Sequence, residues 1–278
     1  MSSHSDLQHE KTGTEHHDGN ALGRQMTLQL SPDQYEKLFF QPTPARGDLA
    51  KRLGNPTFLG VMGFLIPFTT TVLCLLDFRG ASVNSLTGIS GTYYFLGGIA
   101  MNLAGIAKAF PFVVFVIYGC HWCNLAYMSD AAHGIVASYG TAADPAAGAT
   151  AITYVAGQGM YNVVMTLISF VFCIAGLRSN IPFAIALFCL IFLFAFLAAA
   201  DFAIPSATTP ADLAHIGLLI KIAGGFGLVT AIMGWYLAIE LSCASTGIPF
   251  PLPSFDLSSK LFTNTKAAAM EKGTTEVV

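Results

Sequence analysis

Six long runs of apolar and small residues constrain this chain more than any other feature. They are Phe58–Leu76, Gly88–Ala107, Phe110–Met128, Ile152–Leu177, Ile181–Ala200 and Ile216–Ile239. Each matches the roughly 20 residues a helix needs to cross the hydrocarbon core of a bilayer. Within them the only Asp, Glu, Lys, Arg or His residues are His121 and Lys221. The runs do not alternate polar with apolar residues, which argues against a membrane β-barrel. The chain is 54% hydrophobic and 10% charged over 278 residues, against roughly a quarter charged in a soluble domain. These features predict an all-α integral membrane protein with six transmembrane helices.

The expected organisation is a polar N-terminal tail over 1–45, a transmembrane domain over 46–245 and a C-terminal tail over 246–278. Lys and Arg fall on the side of both termini: Arg46, Lys51, Arg52, Lys108, Arg178, Lys260, Lys266 and Lys272, with Arg79 alone on the other side. That bias predicts cytoplasmic termini. No apolar leader occupies the first 45 residues, so the first membrane helix is expected to act as the targeting signal. Ser31-Pro32-Asp33-Gln34 has the form of a capping box and predicts a short amphipathic helix near 32–40.

A net charge of −3 is too small to imply nucleic acid as a partner. No nucleotide-binding loop, catalytic triad or metal-ligand cluster appears, so neither an enzyme nor a cofactor is expected. Cys120-His121-Trp122-Cys123 has redox spacing but no second pair and no strand–helix context. The six cysteines lie in or beside apolar runs, which speaks against a disulfide framework.

The odd-numbered runs share a proline start, at Asn55-Pro56, Phe110-Pro111 and Asn180-Ile181-Pro182. Proline suits the first helical turn, and Asn55 and Asn180 are plausible N-caps. Three helix N-termini on the inner face would favour an anion through their free amides and dipoles. The even-numbered runs share small residues: Gly97-Gly98, Ala156-Gly157-Gln158-Gly159 and Ala223-Gly224-Gly225. Small residues allow close helix approach in lipid. The pattern predicts three pseudo-repeated hairpins, joined by short loops within each, around a pore in each protomer.

Gly54-Asn55-Pro56-Thr57-Phe58-Leu59-Gly60, followed by Gly63-Phe64, resembles the Asn-Pro-Ala-Pro-Leu-Gly signature of the acetate uptake transporter family. That family comprises bacterial succinate–acetate permeases and fungal acetate and ammonia transport proteins. Tyr118-Gly119-Cys120-His121-Trp122 resembles its helix-three motif, and Gly176-Leu177-Arg178-Ser179-Asn180 resembles its turn before helix five. Ile248-Pro249-Phe250-Pro251-Leu252-Pro253 resembles the tail of fungal members. The resemblance implies a homo-hexamer in the membrane lipid, at the plasma membrane, passing acetate and other small carboxylates through a pore in each subunit. Ammonia or ammonium export is the alternative within the family. An acetate-binding sensor that signals without transporting is the alternative outside it. Departures from the signature include Phe58 at the second proline, His121 at an aromatic position, Met101 at a polar one, and the short link Ala107-Lys108-Ala109.

The family's constriction maps onto Phe64, Tyr118 and Leu190. Spacing agrees independently: they stand eight, seven and eight residues after Pro56, Pro111 and Pro182. At 1.5 Å per residue all three lie about 11 Å in from their helix starts. Asn55, Pro56, Gly60, Asn102, His121 and Gln158 are the further candidates for the pore mouth and substrate contacts. Of these, His121 is expected either to tune anion entry or to bond a neighbouring helix as a neutral ring. Lys221 is expected to snorkel outward or to pair with Asp201, the alternative being that it draws anions into the outer vestibule.

Overall fold

The computed structural model describes residues 56–105, 109–177 and 179–248, with 253, 255 and 257. Asn55 and the 32–40 segment lie outside the described residues. The first apolar run forms α1, Pro56–Leu75. Pro67 lies inside it and has no N–H to give the carbonyl four residues back, yet the helix continues.

The second run forms a helical stretch, α2, with an unexpected change of winding. Ser90–Thr92 leads into a π-helical segment, Tyr93–Ala100, and then Met101–Gly105. A π turn takes in more residues than an α turn, so side chains beyond it face where a regular 3.6-residue period would not put them. Tyr93, fully buried at its start, stacks on Trp122 with ring centroids 5.2 Å apart. Thr71 directs its one proton to Pro67 O, so Tyr93 donates its own to Thr71, at 2.7 Å.

The remaining runs form α3, Ala109–Ser129; α4, Ile152–Gly176; α5, Ile181–Ala203; and α6, Pro210–Thr246. Among the described residues, α1, α4, α5 with its following turn, and α6 are long and apolar enough to cross a membrane, and Val113–Ser129 is a shorter apolar helix. The sixth helix is longer than its apolar run. Thr209 and Asp212 close a capping box around Pro210, adding a polar first turn, and Gly247 ends the helix in the left-handed region.

Helix α6 packs on α5 and α1, α5 packs on α4, and α3 packs on α2. Each even helix puts a glycine of its small-residue run against the odd helix beside it. Gly97 abuts Trp122 of α3, Gly159 abuts Phe202 of α5, and Gly224 abuts Leu76 at the end of α1. A Cβ at any of the three would come within 3 Å of its neighbour. By contrast, Gly157 and Gly225 have open space where a Cβ would go.

Two expectations are corrected. The α3–α4 link is not short: it covers 130–151 and contains three helical turns, Ala131–His133, Ile135–Ser138 and Pro145–Thr150. The α5 N-terminus also offers no free amides to an anion. Asn180 caps it as expected, its Oδ1 accepting from Phe183 N at 2.9 Å. Pro182 has no N–H, Ala184 N donates to Asn180 O, and Ile181 N donates to Phe255 O in the returning C-terminal tail. A second tail bond, Leu257 N to Ser179 O, holds the strap in place.

Candidate functional site

A cavity of about 720 Å³ lies among α1, α3, α4 and α5 and the links after α1 and α3. Phe64, Tyr118 and Leu190 all line it. Helices α1, α3 and α5 thus bring the three residues together on one cavity. Phe64 and Tyr118 have ring centroids 6.4 Å apart, and both Tyr118 and Leu190 belong to the buried core against which Phe64 packs.

Tyr118 is 3% exposed, and its hydroxyl lies 2.9 Å from Ser169 Oγ on α4. Ser169 directs its proton to Met165 O at 2.7 Å, so the tyrosine is the donor. The ring is thereby fixed while its hydroxyl is satisfied. Phe68, stacked on Phe64 at 4.6 Å, and Trp122 extend the aromatic wall. The buried Trp122 indole N–H has no acceptor among the described residues.

On the far side of this apolar level from the helix starts, the wall turns polar. Gln158, Tyr161 and Asn162 project from successive turns of one α4 face. His121 Nδ1 lies 2.8 Å from the Tyr161 hydroxyl, and the two rings stack at 5.7 Å with 10° between planes. Phe194 packs perpendicular to the imidazole, with ring centroids 5.4 Å apart. His121 thus bonds a neighbouring helix while still facing the cavity. Asn162 Nδ2 donates to Asp201 Oδ2 at 2.8 Å, joining α4 to α5. Asn84, Asn124 and Asp130 complete the polar rim.

Lys221 does not pair with Asp201. Its Nζ sits 3.2 Å from Asp77 Oδ2, with both side chains more than half exposed. Asp77 terminates α1 in the left-handed region, which turns its carboxylate toward α6. Nothing in the sequence spacing could show this, because the pairing depends on that turn.

Pro56, Gly60 and Asn102 are not part of the cavity wall. Pro56 begins α1, and Gly60 admits the Phe115 ring, which lies 2.7 Å from where a Cβ would be. Asn102 donates to Gly98 O at 2.8 Å and fills the space left by Gly119, so it serves the α2–α3 contact. Cys120 and Cys123 are free thiols, Cys123 packing against Gly98. Asp201, expected only as a partner for Lys221, is instead a cavity residue held by Asn162. The signal was present as a carboxylate at the end of an otherwise uncharged helix.

Comparison with known proteins places this geometry in context. The model of the GPR1/FUN34/yaaH family matches residues 39–259. Protein alcS of Aspergillus fumigatus is 29% identical over 269 residues, covering 93% of this chain and 97% of its own length. The acetate transporter protein patA of Penicillium expansum is 28% identical over 224 residues, covering 79% of this chain and 81% of its own. The structure of the bacterial acetate channel SatP superposes with a TM-score of 0.54 at 23% identity, covering 72% of this chain and 99% of that one, a likeness of fold.

Proposed function

The chain belongs to the GPR1/FUN34/yaaH family of membrane transport proteins, and we propose that it is a channel-like transporter of acetate and related small monocarboxylates. The observation that carries this reading is the meeting of Phe64, Tyr118 and Leu190 on one cavity, below a polar vestibule. An apolar ring at one depth is the form of a dewetting constriction, which a small solute with a methyl end can pass. Above it, amides of Asn124, Gln158 and Asn162 and the Tyr161–His121 pair offer polar partners to a carboxylate. The Trp122 N–H is a buried donor beside the constriction that no described residue engages. The similarity to patA and the SatP-like fold support acetate as the substrate.

In this reading all six helices span the bilayer as three related pairs, with both termini on the cytoplasmic side of the plasma membrane. The recurring glycine contacts of α2 on α3, α4 on α5 and α6 on α1 support a three-fold plan. Outward-facing apolar side chains such as Phe95, Leu103, Leu167 and Phe170 suit lipid or sister subunits in a hexamer.

Uptake of labelled acetate into proteoliposomes tests the proposal, with formate and lactate as competitors. Saturable or competed uptake above protein-free vesicles is expected. Uptake no faster than in empty vesicles would refute transport. One observation favours ammonium as a rival: among the described residues the vestibule wall holds Asp130 and Asp201 but no Lys or Arg. Methylammonium flux exceeding acetate flux in the same vesicles would decide for that rival.

A further inference from the structure

Resting on the acetate reading, we infer that Asp201, assisted by Asp130, makes this transporter selective for singly charged acids and sets it against dicarboxylates. Among the described residues the cavity wall contains both carboxylates, His121 and the phenols Tyr118, Tyr154 and Tyr161, and no Lys or Arg. Of the basic side chains near this end of the bundle, Lys221 is held by Asp77 and does not line the cavity.

The two carboxylates are not equivalent. Asp130 has His133 Nδ1 3.8 Å away, and its Oδ1 accepts from Ala132 N. Asp201 has no basic group within salt-bridge reach among the described residues. A neutral amide, Asn162, orients it, and Tyr154 and Tyr161 on the same helix share its wall. Its charge therefore acts on whatever enters the vestibule. A monocarboxylate meets that repulsion once and recovers part of it from the amides of Gln158 and Asn124. A dicarboxylate meets it twice, because Coulomb energy scales with the charge on the solute. The selectivity is built from a penalty on the wrong solute rather than from a better contact to the right one.

This scaling gives a quantitative test. Labelled acetate uptake into proteoliposomes is measured near neutral pH, where both carboxyls of succinate are ionised. Propionate and succinate serve as competitors, added to both faces. Asp201→Asn keeps the side-chain shape while removing the charge. If the substitution strengthens inhibition by propionate about threefold, it should strengthen inhibition by succinate roughly tenfold, the square of the first factor. Equal factors for the two acids, or no change in either, would overturn the inference. Asp130→Asn is the second variant, expected to shift succinate in the same direction by less. A larger shift at Asp130 would reassign the selectivity and likewise overturn the role of Asp201. If the unsubstituted protein takes up no acetate, the transport reading falls and this inference with it. Uptake with an unchanged succinate-to-propionate ratio removes this inference alone.

Discussion

Tyr118 faces the constriction with its ring and anchors α3 to α4 with its hydroxyl. The two roles separate experimentally. Tyr118→Phe keeps the ring and strands the Ser169 oxygen, at a cost of about 1 kcal/mol in unfolding free energy. Acetate uptake should stay within about twofold of the parent, because the aperture is unchanged. Leu190→Ala does the opposite. It opens the apolar ring, so uptake of a longer acid such as butyrate should rise relative to acetate, while removal of a buried Leu costs roughly 2–5 kcal/mol. His121→Phe retains the packing against Phe194 and Trp122 but cannot bond Tyr161. If the imidazole tunes passage, the pH profile of acetate uptake should change in this variant; an unchanged profile would assign His121 to packing alone.

At the scale of elements, the glycines divide into two kinds that composition cannot distinguish. A side chain on Gly97 would collide with Trp122, whereas one on Gly157 would meet nothing. Gly97→Val should therefore lower stability in detergent by about 1–3 kcal/mol, measured by thermal denaturation, and disturb the Tyr93–Trp122 stack. Gly157→Ala should leave stability unchanged or slightly raised, since alanine is the better helix former. The same scale explains what proline spacing did and did not reveal. The N-cap of α5 follows from local chemistry, Asn180 ahead of Pro182. The occupation of its amides by Phe255 O does not, because the acceptor arrives from a tail more than seventy residues away in the chain.

For the whole molecule, charge sits at the margins. The Lys221–Asp77 pair is exposed, so Lys221→Gln should change stability by less than about 1 kcal/mol and leave acetate uptake intact. The excess of Lys and Arg near both ends predicts that tags at either terminus are shielded from protease in sealed, right-side-out vesicles. A tag inserted within 139–144, between the turns of the α3–α4 link, should be cut under the same conditions.

Apolar run length, proline starts and the position of three bulky residues after them are local properties. The membrane class, the proline-led starts of α1 and α5 and the choice of Phe64, Tyr118 and Leu190 as residues to place on one cavity were accordingly legible in the chain alone. Depth along a helix follows from counting residues at a fixed rise. Facing does not, once the winding changes or a turn intervenes. The π segment in α2, the left-handed Asp77 and the return of the C-terminal tail each altered which groups meet. Only the folded structure could therefore turn Asp201 toward the cavity with Asn162 at its side, give Lys221 to Asp77, and withdraw Asn102 into the α2–α3 contact. These pairings depend on the angular setting of separate helices, which packing decides and no single helix encodes.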